Sequence, residues 1–583
     1  MWIQHWRNTI WADIAQEWDL IIVGGGITGA GILREAARLG LRALLVEQAD
    51  FASGTSSRSS KLVHGGLRYL KEGKIRLTRD AVREREQLLQ DAPGLVEPLD
   101  FLLATYDGEH PGRLVYTAGL TIYDLLALRW SHRYYSAQDF RLMAGQLTPE
   151  GLEGGFRYGD AQTDDARLVL RVIREAVRAG ATAINYTRAE NLIRKEGGRV
   201  VGVNLKDLVL DREATVSARL VVNACGAWAD DLRVQSGKEK AIRPLRGSHL
   251  IFLAWRLPVA QAVSFLHPLD KRPVFLLPWE GVTLLGTTDE DHSDSLDCEP
   301  HISGPEVAYL MHAVTARYPG SNLGLEDIIA TFAGVRPVIG SGRAKSSEES
   351  RDHVIWHDNG LLTVTGGKLT TFRLIAEDVL REAGSYFEEM PAIETETPIL
   401  DPVPALEWAG SLGNNYNINR LLGRYGSEAG SMLNTAQPGE LEQIPLTNYL
   451  WAELRWAARA EGVVHLEDLL LRRVRLGLLR PDGGTGIMTR IRSICQPELG
   501  WNDSRWREEE EAYLSLRAHY YGLPPRDTIP SWEPGPRAAS QLQISVRKEH
   551  DWRIWTGVFS ATFVVLLASL TLLFSRRLLR RPA

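Results

Sequence analysis

Short apolar runs alternate with segments of helical periodicity over the first 395 residues of the chain. Residues 19–23 and 43–46 have the continuous apolar pattern of buried strands, and the segment between them repeats apolar positions at helical spacing. Strands that alternate with helices predict an α/β fold built on a parallel sheet. Glycine-rich junctions interrupt this pattern at three widely separated places, which become the candidate sites.

The C-terminal third of the chain shows three other patterns. Between about 400 and 521, apolar and arginine residues recur at helical intervals, most clearly over 452–459 and 466–476, which predicts a helical domain. Residues 522–537 are rich in proline and indicate an extended spacer. Residues 556–575 carry no charge, and at about 1.5 Å per residue they would cross a hydrocarbon layer of about 30 Å. With Trp552 and Trp555 before this run and an arginine cluster after it, we expect a single transmembrane anchor.

The N-terminal segment is rich in tryptophan. Ile3, Trp6, Ile10 and Ile14 would share one face of a helix, which could lie in a bilayer interface or pack on its own protein. No apolar run of the signal-peptide kind precedes residue 19, so we expect a protein of the cytoplasmic membrane whose main body faces the cytoplasm. Basic residues flank both ends of the predicted span, and the orientation of the tail stays open.

Composition and charge exclude several classes of function. The net charge is -6 over 583 residues, which provides no strongly basic face for nucleic acid. Cys225, Cys298 and Cys495 lie far apart and form no CxxC pair, so neither a disulfide framework nor a zinc site is expected. The histidines form no HExxH pattern, and we expect no bound metal.

The first junction has the pattern of a dinucleotide site. Gly24, Gly26 and Gly29 form GxGxxG between a predicted strand and a predicted helix, and the second strand ends at Glu47. Gly24 would permit the tight turn, Gly26 would let the backbone approach a pyrophosphate, and Gly29 would let the helix pack closely. Glu47 would accept hydrogen bonds from ribose hydroxyls, and the helix amides would face the phosphates.

Two further junctions favour FAD over NAD. A hydroxyl-rich loop over 53–69 leads into a glycine pair, residues 220–228 repeat the strand-then-glycine pattern, and residues 361–371 form a third strand-to-helix junction. Amides at that third helix would stabilise negative charge on a reduced flavin. The predicted cofactor-binding residues are Gly24, Gly26, Gly29, Glu47, Thr55, Ser56, Ser60, Lys61, His64, Gly65, Ala224, Gly226, Gly367, Lys368, Leu369 and Thr370.

Several longer strings carry a family resemblance. They are the run over 19–69, whose end overlaps SSKLVHGGLRYL at 59–70, and DDARL at 164–168, RGSH at 246–249, GTTD at 286–289, GVRP at 334–337 and GGKLTT at 366–371. Together they resemble the FAD-dependent glycerol-3-phosphate dehydrogenases, respiratory enzymes that associate with membranes. The resemblance is strong over residues 18–390 and weaker over about 452–477. Glu35 stands where that family usually has aspartate, and Phe372 where it usually has tyrosine.

The resemblance implies oxidation of sn-glycerol 3-phosphate to dihydroxyacetone phosphate, by hydride transfer to flavin N5 and onward transfer of electrons to membrane quinone. A phosphate dianion calls for several fixed cations, and arginine suits it because its donors form a bidentate fork. The candidate substrate-binding residues are Arg68, Tyr69, Arg336, Arg351 and Lys368, and Arg336 is also a candidate for catalysis. His64 is the first candidate for the base that takes the hydroxyl proton, and His249 is the second.

Other functions remain open at this stage. A glycerol-3-phosphate oxidase that uses dioxygen would have nearly the same pocket, and an amine or 2-hydroxyacid oxidase of the same fold would bind a carboxylate instead. A membrane flavoprotein with a scaffolding or redox-sensing role is a third possibility. The predicted anchor favours quinone, because a lipid-soluble acceptor is reached at the bilayer. The partners expected are therefore the phosphorylated alcohol, quinone and lipid, with a homodimer possible and nucleic acid excluded.

The predicted architecture is an α/β fold in which a Rossmann-like FAD-binding domain is interleaved with an α+β substrate domain. A helical C-terminal domain and one transmembrane helix follow. The boundaries are 1–17 for the N-terminal helix, 18–75, 156–242 and 346–395 for the FAD-binding domain, 76–155 and 243–345 for the substrate domain, 396–521 for the helical domain, 522–551 for the proline-rich linker, 552–575 for the transmembrane helix and 576–583 for the basic tail.

Overall fold

The computed structural model describes residues 2–340, 352–394, 397–403 and 418–532. Its strands are β1 (Trp18–Val23), β2 (Ala43–Val46), β3 (Leu62–Val63), β4 (Val96–Tyr106), β5 (Arg133–Ser136), β6 (Leu152–Thr163), β7 (Thr182–Ile184), β8 (Thr187–Arg194), β9 (Val200–Asp207), β10 (Arg212–Asn223), β11 (Ile242–Leu253), β12 (Ala262–Leu266), β13 (Pro273–Trp279), β14 (Val282–Gly286), β15 (Glu290–Asp291), β16 (Ile328–Ile339), β17 (Val354–His357) and β18 (Leu361–Thr365).

Helices surround these strands and form most of the C-terminal part. They are α1 (Trp6–Ala12), α2 (Ile27–Arg38), α3 (Leu67–Lys71), α4 (Ile75–Asp91), α5 (Arg113–Ala127), α6 (Ala137–Met143), α7 (Asp165–Arg178), α8 (Ala229–Gln235), α9 (Gly304–Arg317), α10 (Phe372–Ala383), α11 (Ile418–Tyr425), α12 (Ala429–Asn434), α13 (Trp451–Ala460), α14 (Leu476–Leu479), α15 (Met488–Leu499) and α16 (Asp503–Tyr520). A single π-helical turn, Asp468–Arg473, lies between α13 and α14.

The first domain is built on a sheet of order β17-β18-β10-β1-β2-β7, in which β18, β10, β1, β2 and β7 run parallel. Both faces of β1 are buried, as its continuous apolar sequence requires. Leu20 and Ile22 join the core formed with α2, α7 and α10. Ile21 and Val23 join the opposite core, which β8 and β9 cover. This central position places the end of β1, and the turn that follows it, in the middle of the sheet edge.

The second domain contains a larger and mostly antiparallel sheet of order β15-β11-β14-β13-β12-β4-β6-β3, with β16 beside β11 and β5 beside β6. One face packs on α9, and the other packs on the C-terminal helices. Strand β6 crosses the predicted border between residues 155 and 156, and β3 belongs to this sheet although it lies within a segment predicted for the first domain. Because β3 ends one residue before His64, the two sheets meet at the candidate site.

The C-terminal domain, α11 to α16, is joined to the first domain by buried ion pairs. Arg472 and Arg473 in the π-helical turn bond to Asp50, and Arg475 bonds to Asp164 and Asp165 at the start of α7. The mixed α/β architecture with a helical C-terminal domain, which the hydrophobic pattern predicts, is confirmed at this level. The pattern could not indicate which surfaces these helices cover.

The N-terminal segment packs on its own protein. The indole ring of Trp2 is buried, stacks on Phe51 with ring centroids 5.0 Å apart, and donates to the Ala183 carbonyl at 3.1 Å. Arg7 forms a buried pair with Asp207 at 2.7 Å. Of the two positions left open for this helix, the structure therefore places it against the first domain.

The proline-rich segment differs from the extended spacer expected from its composition. Ile529 is buried in the core under α9, and Leu523 and Trp532 pack against the same core. Thr331 donates to the Gly522 carbonyl at 2.9 Å, which fixes the start of the segment to β16. Proline disfavours helix but does not prevent packing, so residues 522–532 lie on the second domain as part of the fold.

The predicted membrane span, residues 552–575, and the basic tail, residues 576–583, lie outside the described residues. Within the described ranges, no helix combines the length and the apolarity that a bilayer crossing requires.

Candidate active site

The glycine turn after β1 has the close contacts that a dinucleotide site needs. Gly24 has a φ of 116°, and a Cβ atom there would lie 2.5 Å from the Ala224 carbonyl oxygen. At Gly29 a Cβ atom would lie 1.9 Å from the Gly24 carbonyl oxygen, so α2 can approach the strand only with glycine at this position. Gly26 precedes the first residue of α2, whose amide dipoles favour a bound anion.

Glu47 ends β2 beside this turn. Its carboxylate accepts from the Gly25 amide at 2.6 Å and from the Ala49 amide at 2.9 Å. Burial raises the pKa of Glu47, and the two amide bonds partly offset that shift. The carboxylate therefore holds the turn in place, beside the glycines with which it was predicted to bind the dinucleotide.

The hydroxyl-rich loop packs over the same turn. Ser56 Oγ accepts from the Ile27 amide at 3.0 Å and faces Gly26. The Thr55 hydroxyl donates to the carbonyl of Val335 in β16. The Ser60 hydroxyl lies 2.9 Å from Nε2 of His249 in β11. Three residues of one loop therefore connect the first domain to two strands of the second.

The other two glycine junctions join the same wall. Thr365, at the end of β18, donates to the Gly226 carbonyl at 3.3 Å. The Thr370 hydroxyl bonds to both the amide (3.1 Å) and the carbonyl (3.2 Å) of His64. The Lys368 ammonium lies 3.5 Å from the centre of the Tyr69 ring. The three junctions therefore form one continuous surface.

Two of the predicted cofactor ligands also form hydrogen bonds that hold the loop in place. Lys61 Nζ bonds to both carboxylate oxygens of Asp165 at 2.9 Å and to the Ser57 carbonyl at 2.6 Å. The Lys61 side chain is only 1% exposed, and a buried ammonium group requires such hydrogen-bond and ion-pair partners. The Gly65 amide donates to the Tyr123 hydroxyl and to Asp160. The cofactor-binding role predicted for these two residues stays a prediction.

The candidate catalytic groups of the second domain lie on β11 and β16. Arg336 donates to Asp289 and to the Thr287 hydroxyl, each at 3.1 Å, and its side chain stays partly exposed. His249 stacks on Phe332 with ring centroids 4.6 Å apart. Burial lowers the pKa of His249 well below its ordinary value, and the charges of Arg336 and Lys61 lower it further. The imidazole is therefore neutral at physiological pH.

The remaining predicted substrate ligands differ in their surroundings. Arg68 is exposed on α3 and pairs with Glu72 at 3.2 Å, whereas Tyr69 is buried beneath Lys368. Gly367 has a φ of 81°, and Leu369 packs against the core of the first domain. Arg351 lies outside the described residues. The structure thus brings Lys368 and Tyr69 together, and it brings Arg336 near His249.

A flavin dinucleotide fits this donor set. The glycine cradle before α2 suits a pyrophosphate, Glu47 suits ribose hydroxyls, and the junctions at Gly226 and Lys368 extend the same surface. Among the described residues, Nδ1 of His249 is a buried polar atom without a hydrogen-bond partner, which is common where a ligand binds. Within those residues, the His, Cys, Asp and Glu side chains form no set suited to a metal ion.

Comparisons with known proteins agree with this fit. Residues 19–373 match the family described as FAD dependent oxidoreductase, and residues 409–506 match the C-terminal domain of alpha-glycerophosphate oxidase. The aerobic glycerol-3-phosphate dehydrogenase of Staphylococcus aureus (strain MRSA252) is 35% identical over 484 residues, which cover 78% of this chain and 86% of the relative.

The chain belongs to the FAD-dependent glycerol-3-phosphate dehydrogenase family.

Solved structures show the same fold. The glycerol-3-phosphate dehydrogenase from Bacillus halodurans, complexed with FAD, is 28% identical and superposes with a TM-score of 0.73 over 89% of this chain and 98% of that chain. The L-alpha-glycerophosphate oxidase from Mycoplasma pneumoniae, with FAD bound, is 16% identical with a TM-score of 0.53 over 67% of this chain and 100% of that chain. As a member of this family the protein is an FAD-dependent oxidoreductase.

Sequence reasoning missed the groups that hold the family's site in place. Asp289 and Thr287 orient Arg336. Neither was predicted as a site residue, although both lie in the GTTD string that carried the resemblance. Asp165 bonds to Ser59 and Lys61, and Arg475 of the C-terminal domain bonds to Asp165 in turn. Asp289 and Asp165 could have been predicted as site residues, because each is an acidic residue inside a string that carried the family resemblance.

Proposed function

We propose that the protein oxidises sn-glycerol 3-phosphate to dihydroxyacetone phosphate and passes the electrons to membrane quinone. The name of the Staphylococcus relative, at 35% identity over most of the chain, supports the substrate. In this reaction the secondary alcohol loses a hydride from carbon and a proton from oxygen. Bound FAD supplies the acceptor for the hydride, and the protein supplies the acceptor for the proton.

The observation that carries the proposal is the placement of Arg336 near a neutral histidine. Arg336 is held by the buried carboxylate of Asp289 and by Thr287, so its guanidinium is fixed before a substrate arrives. A fixed guanidinium can bond to a phosphate through two N–H groups. Thr287, which Arg336 contacts, directly follows Gly286, whose nearest neighbour is the His249 ring, so the two groups lie close together.

We assign the proton transfer to His249. Its ring is neutral at physiological pH, as a general base must be, and Ser60 fixes its orientation through Nε2. Within the described residues, no group hydrogen-bonds to its Nδ1 atom. The sequence placed His64 first and His249 second; we place His249 first because its ring is neutral and is oriented by Ser60.

Lys368 is the second cation that we assign to the phosphate. It lies beside the third glycine junction, and its ammonium lies over the face of the buried Tyr69 ring. The ring fixes the position of the charge at little entropic cost. Arg68 is less suited to this role, because it is exposed and already paired with Glu72.

We propose that the protein lies at a bilayer surface, where it can reach quinone. The uncharged run 556–575 supports an anchor. A surface of the second domain adds support, since Leu114 and Leu125 are spaced to share one face of α5 and are 84% and 42% exposed, and Leu128, directly after the end of α5, is 85% exposed. Trp130 and Arg129 follow, and they suit the interface between lipid chains and head groups. We place the main body on the cytoplasmic side.

The test is an anaerobic titration of the flavin in the purified full-length protein. Glycerol 3-phosphate should bleach the flavin absorbance, whereas glycerol, lactate and glycine should not. Bleaching by lactate or glycine alone would instead indicate a carboxylate substrate. Reoxidation of the reduced flavin by a soluble quinone, faster than by dioxygen, supports the dehydrogenase; faster reoxidation by dioxygen would replace it with the oxidase.

A further inference from the structure

Arg272 lies one ion pair away from the proposed phosphate site. Its Nη2 atom is 3.3 Å from Oδ2 of Asp289, and Nη1 of Arg336 is 3.1 Å from Oδ1 of the same carboxylate. The Asp289 side chain is 2% exposed, so water and salt screen its charge only weakly. One buried carboxylate therefore joins the guanidinium assigned to the substrate to a second guanidinium, that of Arg272.

The sheet of the second domain fixes Arg272 in this place. The chain turns between β12 and β13, where the His267 amide donates to the Arg272 carbonyl at 2.8 Å. Strand β13 pairs antiparallel with β14, and Phe275 lies opposite Gly286. Arg272 precedes Phe275 by three residues, and Asp289 follows Gly286 by three residues. The register therefore brings Arg272 and Asp289 together at one end of the two strands.

Asp289 has two opposing effects on a phosphate bound to Arg336. Its carboxylate holds the guanidinium in place, but its negative charge repels a dianion. Arg272 places a second positive charge beside the other oxygen of that carboxylate, and the formal charges of the three groups then sum to one positive charge. Without Arg272, the formal charges of Arg336 and Asp289 would cancel each other.

We propose that Arg272 is a positioning residue that strengthens phosphate binding through Asp289. Its guanidinium offsets the negative charge of the carboxylate, while the carboxylate still holds Arg336 for the substrate. The site thus gains a rigid arginine without a loss of positive charge. This inference rests on the proposed oxidation of glycerol 3-phosphate with Arg336 at the phosphate. It concerns substrate binding and leaves the transfer of the hydride and the proton to other groups.

The test compares Arg272→Gln and Arg272→Lys in the full-length, FAD-loaded protein with glycerol 3-phosphate and a dye acceptor. Arg272→Gln lacks the charge, and its KM should rise roughly three- to tenfold while kcat stays nearly unchanged, because ground state and transition state lose the same attraction. Inorganic phosphate should inhibit competitively, and its inhibition constant should rise in this variant by a similar factor. Arg272→Lys keeps the charge, and both constants should return to within about twofold of the wild type.

Arg256→Gln is the matched control. Arg256 belongs to the same domain, pairs with Asp327 and has a similar side-chain exposure, 27% against 31% for Arg272. This variant should keep the KM of the wild type. An unchanged KM in Arg272→Gln, a loss of kcat or of flavin instead, or no recovery in Arg272→Lys would overturn the role of Arg272. The anaerobic flavin titration of the wild type tests the reaction itself, so failure of the proposed function would be seen separately.

Discussion

Arg475 donates from Nη2 to Oδ1 of Asp165 at 2.5 Å, and this bond joins the C-terminal domain to the loop that carries the candidate site. The same carboxylate accepts from the Ser59 hydroxyl and from Lys61 Nζ. Ser60, the next residue of that loop, orients His249. The helical domain therefore contributes to the geometry of the site through one buried carboxylate.

Arg475→Met should destabilise the protein strongly. The substitution leaves Asp164 and Asp165 buried with one cation fewer, and removal of one partner from a buried pair costs about 3–5 kcal/mol. The measurement is the urea concentration at which the flavin is released, followed by its fluorescence. Arg188→Met, which removes an exposed pair with Glu190, is the control and should change little. Equal shifts in the two variants would contradict a special role for Arg475.

The pH dependence of kcat/KM should be that of an enzyme whose base, His249, stays neutral below pH 6.5. Its folded-state pKa lies well below the ordinary value, so kcat/KM should not fall as the pH is lowered through about 6.5. In the unfolded chain the same histidine takes up a proton near pH 6.5. Its contribution to stability is therefore present above that pH, and it is lost as the pH falls toward the folded-state pKa.

The measurement is a profile of kcat/KM against pH between neutral and acidic values, with flavin absorbance as a check on folding. His249→Gln should lose most of the activity. The stability of this variant should also fall less at acidic pH than that of the wild type, because it lacks the ring that takes up a proton on unfolding. An acid limb centred at or above pH 6.5 in the wild type would count against His249 as the base and would return His64 to first place.

Arg336→Ala should weaken substrate binding more than it slows turnover. A hydrogen bond to a charged group contributes about 1.5–3 kcal/mol, which corresponds to a rise in KM of roughly ten- to a hundredfold. The KM of Arg336→Lys should lie between those of the wild type and Arg336→Ala, because lysine keeps the positive charge but lacks the two-pronged guanidinium donor. Arg76→Ala, at an exposed side chain on α4, should leave KM unchanged. A normal KM in Arg336→Ala would remove this residue from the phosphate site.

Gly29→Ala should abolish flavin binding. The added Cβ atom would meet a backbone oxygen at 1.9 Å, and backbone cannot move aside as a flexible side chain can. The start of α2 would then shift away from the phosphate position. The ratio of flavin to protein absorbance measures the effect. Gly119→Ala in α5, where nothing lies within 4 Å, is the control and should retain FAD. A yellow Gly29→Ala protein would contradict this view of the turn.

Local features of the first domain could be predicted because they have local causes. The apolar run before Gly24, the turn itself and β2 follow from strand periodicity and glycine spacing, and β2 has the predicted bounds. The three junctions were predicted to meet at one flavin, and the bonds from Thr365 to Gly226 and from Thr370 to His64 place them on one surface.

Long-range ion pairs could not be predicted in the same way. Lys61 lies in a hydroxyl-rich loop that resembles a cofactor cradle, but its partner Asp165 is 104 residues away. Arg475 is 310 residues from the same carboxylate. Periodicity reports which face of a helix is buried and does not report what covers that face. The proline-rich segment shows a related limit, because its composition does not reveal the apolar groove that receives Ile529.

Two truncations should separate membrane attachment from folding. A chain that ends after Gln541 keeps residues 522–532, which pack on the second domain, and lacks the uncharged run 556–575. We expect it to be soluble without detergent and to oxidise glycerol 3-phosphate with an artificial dye. If it still sediments with membranes, the attachment lies elsewhere, and the exposed face of α5 becomes the first region to change.

A chain that ends after Tyr521 should be soluble but less stable. It lacks Ile529, and full burial of such a side chain contributes about 1.5–3 kcal/mol. It also loses the bond between His312 and the Trp532 carbonyl at 2.9 Å. Its thermal midpoint should therefore fall below that of the longer truncation, as measured by flavin fluorescence. Equal midpoints would mean that residues 522–532 add nothing to the fold, and the spacer predicted from composition would then describe the whole segment.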